Sequence, residues 1–407
     1  MAGTRARRRT ERLERRRAVR RHAMAVVVSV VVAAGTVSGM MSASGGPPER
    51  DTAGPEVRRS PGPLPAIPSP VASRPAPTDP APPVPSPALS SASAPAPVAP
   101  APPPAPSPSR TAAPAARTEP AAAPLYRHPD SQVLDWVAGH RDDPRRPLIE
   151  SRIAARPAAV WFPAYNPGAV TGEVRSVTAG AAAAGRVPVL VPYAIPDRDC
   201  GGASQGGAPD LDAYDDWIRD FAAGLEEGPA IVILEPDSVA LSDCLDAPER
   251  AARYASLARA GRTIHAAAPG AKVYFDAGHS GWHPAGKQAA LLRAAGAAGS
   301  GDGIFTNVSN FHRTADEADY ARRVLAALDG PARLGAVIDT SRNGNGAPPD
   351  GQWCDPAGRA LGRAPTTETG EARIDAYLWV KLPGESDGCR GTAGSFTPEY
   401  AYRLAKG

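Results

Sequence analysis

Seven short, mostly apolar runs divide the C-terminal 283 residues, with longer stretches of helical spacing between them. The runs fall at 158–162, 187–193, 230–234, 272–276, 303–307, 334–339 and 375–380. The intervening stretches are 170–184, 211–225, 248–268, 286–295 and 314–328. A strand with one wet face alternates apolar and polar residues, whereas continuous apolar runs belong to strands covered on both faces. Strand–helix repetition of this kind predicts an α/β fold, a TIM-like parallel barrel with about seven strands. A doubly wound open sheet is the alternative. The barrel is favoured because polar and aromatic residues collect after nearly every run, at the strand ends where a barrel builds its site.

The rest of the chain sets the boundaries. Residues 1–22 carry ten Arg and two Glu, a local charge of +8 against +3 for the whole chain. The remainder is therefore acidic overall, and the basic balance is no footprint for nucleic acid. An uncharged, Val- and Ala-rich stretch follows at 23–43, suited to an export signal or to a signal-anchor. Residues 47–124 hold 26 of the 48 prolines in a Pro/Ala/Ser-rich background. Such a segment buries too little apolar surface to offset its ordering entropy, so it is expected to stay disordered. The expected organisation is an export segment over 1–45, a linker over 46–124 and one folded domain over 125–407.

All four cysteines, Cys200, Cys244, Cys354 and Cys389, lie in that domain. An even count in an exported protein suggests disulfides, and spacing favours Cys200–Cys244 and Cys354–Cys389. A zinc site is disfavoured, because no CxxC occurs and the seven His are scattered. No metal or other cofactor is expected.

Three aspartates, Asp199, Asp237 and Asp387, sit just past apolar runs. Hydrolysis of a glycosidic bond needs two carboxyl groups in unequal environments, one protonated as acid and one ionised to activate water. Glu235 and Asp237 are two residues apart, on one side of a strand if extended geometry continues, and like charges so placed push one proton affinity up. A helix cap at Asp237 is the plainer reading. Tyr193, Arg198 and Asp199 precede a glycine-rich loop that could approach a substrate, with an Arg198–Asp199 ion pair as the alternative. Asp276, His279 and Trp282 follow the fourth run at three-residue steps. A Trp in a Gly-flanked loop is either a sugar platform or a buried anchor. Asn310 offers an amide for hydroxyl recognition, and Lys381 and Glu385 could line a site or simply pair.

Taken together, five ordered blocks resemble glycoside hydrolase family 6, the inverting β-1,4-glucanases. They are Val-Pro-Tyr-Ala-Ile-Pro-Asp-Arg-Asp-Cys, Val-Ile-Leu-Glu-Pro-Asp-Ser, Asp-Ala-Gly-His-Ser-Gly-Trp, Asp-Thr-Ser-Arg-Asn-Gly and Trp-Val-Lys-Leu-Pro-Gly-Glu-Ser-Asp-Gly. The resemblance implies a distorted barrel with a cleft at the C-terminal strand ends, occupied by β-1,4-glucan. It implies Asp237 as general acid, Asp199 as the group keeping that acid protonated and Asp387 as candidate base. It further implies sugar stacking at Trp161, Trp282 and Trp353, a Tyr193 that presses on the distorted sugar ring, subsites at Lys381 and Glu385, and a polar shell from Arg198, Asp276, His279 and Asn310. The same two disulfides are implied. One departure stands out: Gln205 occupies the place where the pattern carries a water-positioning serine, so that either Ser204 substitutes after a loop shift or the water relay is weakened.

Only 18 residues follow Cys389, and the 201–210 loop is short, so little chain is left to roof a tunnel. The expectation is a secreted, monomeric endo-β-1,4-glucanase, touching a membrane only if its N-terminal segment is uncleaved. A membrane-anchored form is the alternative for location. A weakly active β-glucan-binding protein and a cellobiohydrolase are the alternatives for function.

Overall fold

The computed structural model of the chain describes residues 124–407, so the expected export segment and nearly all of the linker lie outside the described residues. The strands are β1 Val160–Phe162, β2 Val189–Pro192, β3 Ala230–Leu234, β4 Ala271–Asp276, β5 Gly303–Thr306, β6 Gly335–Asp339 and β7 Ile374–Leu378. All pair in parallel and in sequence order, β1 through β7. Two contacts draw the outer strands together. The N–H of Ala159 donates to the Trp379 carbonyl at 2.9 Å, and the Trp161 indole N–H donates to the Val380 carbonyl at 2.7 Å. The sheet is a curled, incomplete barrel, as the unbroken apolar runs predict.

The runs are unbroken because successive side chains fill two different cores. Val189, Val191, Ile231, Ile233, Tyr274, Phe305, Val337, Ala376 and Leu378 pack inside the curl. Their neighbours Leu190, Val232, Leu234, Val273, Phe275, Ile304, Ala336 and Ile338 face the surrounding helices. Truncating Ile233, fully buried in the inner set, to Ala costs about 2–5 kcal/mol.

Around the sheet lie α1 Gln132–Gly139, α2 Arg146–Ile149, α3 Val170–Ala183, α4 Leu211–Leu225, α5 Ala247–Ala267, α6 Ala285–Ala294, α7 Ala297–Ser300, α8 Thr314–Leu328 and α9 Pro398–Lys406. Helix α5 starts on a capping box, in which Asp246 and Glu249 each accept the other's backbone N–H. α1, α2 and α9 have no counterpart among the sequence-predicted helices. With the helical turn Glu150–Ala154 that follows α2, they form a third apolar cluster in which Val133, Trp136, Ile149 and Ile153 meet Trp379, Leu382, Ala401 and Ala405. This cluster supports the chain leaving β7, the segment that carries Lys381, Glu385 and Asp387.

Candidate active site

Buried acids at the strand ends build the floor of the site. Glu235, directly after β3, accepts the N–H groups of Ala194 and Ile195, both at 3.0 Å, and so fixes the turn leaving β2. Asp276, ending β4, accepts those of Val239 at 3.1 Å, Ala240 at 2.7 Å and Gly278 at 2.9 Å. Asp339, ending β6, accepts those of Ser309 at 3.1 Å, Ser341 at 2.9 Å and Lys381 at 3.1 Å. Each acid thus ties its own loop or a neighbouring one in place. Burial opposes their charge: it pushes Glu235 up to about 7 and raises Asp276 and Asp339 above the usual carboxylate range.

Asp237 does not continue a strand. Strand β3 stops at Leu234, and both Glu235 (φ +47°) and Asp237 (φ +69°) take left-handed backbone geometry. The turn sends Glu235 back into the protein and brings Asp237 to the cleft wall, so the two carboxylates do not share a strand face. Nor is Asp237 a helix cap, since α5 begins ten residues later at Ala247 and is capped by Asp246. Its carboxyl is pushed up to about 8, first by burial and then by the charges of Asp276 and Asp199. Asp276 therefore acts from behind: it is 1% exposed and absent from the cleft lining, which replaces the expectation of a substrate contact there.

Asp199 (φ +55°) also stands on the cleft wall and accepts the Ser204 N–H at 2.7 Å, closing the glycine-rich loop over itself. Gly207 (φ +106°) lets that loop return, because a Cβ there would lie 2.0 Å from the Ile195 carbonyl oxygen. Arg198 makes no ion pair with Asp199. Its N–H groups go to the Ser204 carbonyl at 2.7 Å and the Pro163 carbonyl at 2.6 Å, and its guanidinium lies 4.5 Å from the centre of the Tyr193 ring. Gln205 lines the cleft beside Ser204 and is exposed. The Cys200–Cys244 disulfide joins the Asp199 loop to the segment after Asp237, as spacing predicts.

Asp387, which lines the same cleft, is gripped by cations. The fully buried Arg342 donates to its Oδ2 at 2.8 Å, and Lys381 Nζ lies 3.6 Å from Oδ1. Lys381 also donates to the Ser386 carbonyl at 3.1 Å, so it serves Asp387 rather than pairing with Glu385. Burial pushes Glu385 up to about 7 against the opposing charges of Lys381 and Arg342. Arg342 escaped the sequence reading, though it lies within the Asp-Thr-Ser-Arg-Asn-Gly block. An arginine reads as a surface residue until a buried carboxylate is known to face it.

Aromatic rings line the remaining walls. Trp161 meets Tyr193 edge to face at 5.3 Å, and His279 packs against Trp282 at 5.3 Å. His279 also stacks on His312 at 4.3 Å, a cleft residue not singled out in the sequence. Burial holds the His279 imidazole down at about 3, hence neutral at any ordinary working pH. Asn310 lines the cleft while its side-chain amide donates to the Val308 carbonyl at 3.2 Å. Trp353 stands on the rim, 59% exposed, and the second disulfide, Cys354–Cys389, binds its loop to the Asp387 loop. The cleft encloses about 1250 Å³, more than a small-molecule pocket of about 300–1,000 Å³. Among the described residues no group of three or more His, Cys, Asp or Glu is placed to hold a metal ion.

The sequence profile described as glycosyl hydrolases family 6 matches residues 117–406. The chain belongs to that family. Endoglucanase A of Thermobispora bispora is 51% identical over 284 residues, 70% of this chain and 62% of that protein. Endoglucanase 1 of Streptomyces sp. (strain KSM-9) is 51% identical over 296 residues, 72% of this chain and 81% of that protein. A solved structure of the endoglucanase Cel6 from Mycobacterium tuberculosis, in complex with methyl-cellobiosyl-4-deoxy-4-thio-beta-D-cellobioside, superposes with a TM-score of 0.66 at 42% identity, over 70% of this chain and 97% of that one. Family 6 membership agrees with the fold.

Proposed function

We propose that this family 6 glycosyl hydrolase is an exported endo-β-1,4-glucanase that cleaves internal bonds of cellulose-type glucan with inversion. The observation that carries the reading is one cleft holding two carboxyl groups in opposite conditions. Asp237 is kept protonated by burial and by neighbouring negative charge, while Asp387 is held between Arg342 and Lys381. The first is equipped to give a proton to the departing glycosidic oxygen; the second can take one from an attacking water. Asp199 adds negative charge beside Asp237 and stabilises positive charge developing on the sugar ring. Trp161, Tyr193, Trp282 and Trp353 supply apolar faces for glucosyl units, with Arg198, Ser204, His279, Asn310, Lys381 and Glu385 as the polar surround. Asp276 supports Asp237 rather than touching sugar.

Internal cleavage is supported by the exposed rim residue Trp353, which a closed tunnel would cover, and by the relatives named endoglucanase. Two disulfides favour an oxidising compartment outside the cytoplasm. The decisive measurement is reducing-end release from carboxymethylcellulose and mixed-linkage β-glucan by the wild type and by Asp237→Ala. Loss of the acid lowers the rate by about 10²–10⁴-fold. Equal rates for the two proteins would exclude Asp237 as the acid. Proton NMR of the first product formed is expected to show the α-anomer, and a β-anomer would exclude inversion.

A further inference from the structure

We infer that Asp355 is a positioning residue for Asp387, clasping the loop that carries it to the loop that carries Trp353. The inference rests on the reading of Asp387 as the base. Asp355 lies beside the Cys354–Cys389 disulfide, is 2% exposed and has φ +46°, a left-handed backbone held by its surroundings.

The two aspartates exchange backbone donors. The Asp387 N–H donates to Asp355 Oδ1 at 2.7 Å, and the Asp355 N–H donates to Asp387 Oδ2 at 3.1 Å. Asp355 Oδ2 then gathers the Ser386 hydroxyl at 2.6 Å and the N–H groups of Arg390 at 2.9 Å and Cys389 at 3.1 Å. One side chain therefore meets four donors from five consecutive loop residues, and it does so with both oxygens. No neutral side chain of that size can replace it. An amide has a single acceptor oxygen and would turn its NH2 group toward either the Asp387 N–H or the Oδ2 cluster. The disulfide alone fixes where the two loops meet. The exchange of donors fixes how the Asp387 carboxylate is aimed, because its Oδ2 is shared by the Asp355 N–H and Arg342. Oδ1, which faces Lys381 at 3.6 Å, is left as the oxygen free to take a proton. A misaimed base loses rate far more than binding: a displacement near 1 Å costs about 10²-fold.

The test is kcat and KM on cellohexaose for Asp355→Ala and Asp355→Asn, each made in the native background and in Asp387→Asn. Asp355→Asn keeps the volume and one acceptor, and it carries the experiment if the alanine variant does not fold. In the native background kcat is expected to fall about 10- to 100-fold while KM stays within about threefold. Added to Asp387→Asn, the same substitution is expected to cost less than about twofold, because the residue it aims is already disabled. Equal fold-losses in both backgrounds would make Asp355 a general structural residue and overturn the inference, as would native kcat in Asp355→Asn. If Asp387→Asn itself keeps native kcat, the base assignment falls and the inference falls with it. An impaired Asp387→Asn beside an unimpaired Asp355→Asn removes the inference alone.

Discussion

Asp276 acts on Asp237 in two ways. Its carboxylate accepts the N–H groups of Val239 and Ala240, which fixes the turn that presents Asp237, and its charge raises the Asp237 proton affinity. Position and protonation of the proposed acid are thus set by one buried side chain. The alkaline limb of kcat/KM is expected near pH 8, where Asp237 gives up its proton. Replacing Asp276 by Asn removes a like charge and lowers that proton affinity, so the limb moves toward acid by about one pH unit. A pH–rate profile on a soluble glucan checks this, and an unmoved limb excludes the electrostatic role.

Glu235 makes a separate prediction about stability. Its carboxyl is pushed from the ordinary 4.5 up to about 7 by burial, so the folded protein binds its proton more tightly than the unfolded chain. The stabilisation is fully present below pH 4.5 and is lost as pH rises through about 7, a span of about 3 kcal/mol. Glu235→Gln removes that pH dependence but leaves one of the Ala194 and Ile195 N–H groups without an acceptor, at a cost of about 1 kcal/mol. The variant should therefore melt below the parent at pH 5 and draw level with or pass it at pH 8. Parallel melting curves across that range would sink the assignment.

Much of this was legible in the residues. The seven runs gave strands at their expected places because both faces are apolar, and α4 and α8 span 211–225 and 314–328 as predicted. Helices α1, α2 and α9 were not legible: two contain Pro, all are short, and their apolar residues find partners only across the fold. The Glu235–Asp237 pair misled for a local reason. Only an extended chain past Leu234 would put both carboxylates on one side, and two positive φ angles reverse it there. Arg342 and Asp355 were illegible because each acquires meaning only from Asp387, a partner 45 residues away for the first and 32 for the second.

The disulfides should contribute to both stability and rate. Cys200 and Cys244 are 44 residues apart, and closing a loop of that length stabilises by about 4 kcal/mol on a chain-entropy account. Since the bond also joins the Asp199 loop to the segment after Asp237, Cys200→Ser with Cys244→Ser should lower kcat as well as Tm. Calorimetry and turnover on cellohexaose measure both. A lowered Tm with native kcat would confine this bond to stability.

Trp353 offers the cleanest separation of binding from folding. It is 59% exposed, so truncation leaves no cavity and Tm should be unchanged. What is lost is an aromatic face at the cleft rim, worth about 1 kcal/mol in stacking, or about fivefold in KM. Because the exposed ring makes no hydrogen bond to Asp387, which is held by Arg342, Lys381 and the Asp355 N–H, kcat should hold while KM rises on cellohexaose and on carboxymethylcellulose. The same substitution should leave the pH–rate limb near 8 in place, since Trp353 carries no charge toward Asp237. A fall in kcat with KM unchanged would instead assign the ring to the transition state, and would move Trp353 from the rim of the reaction to its centre.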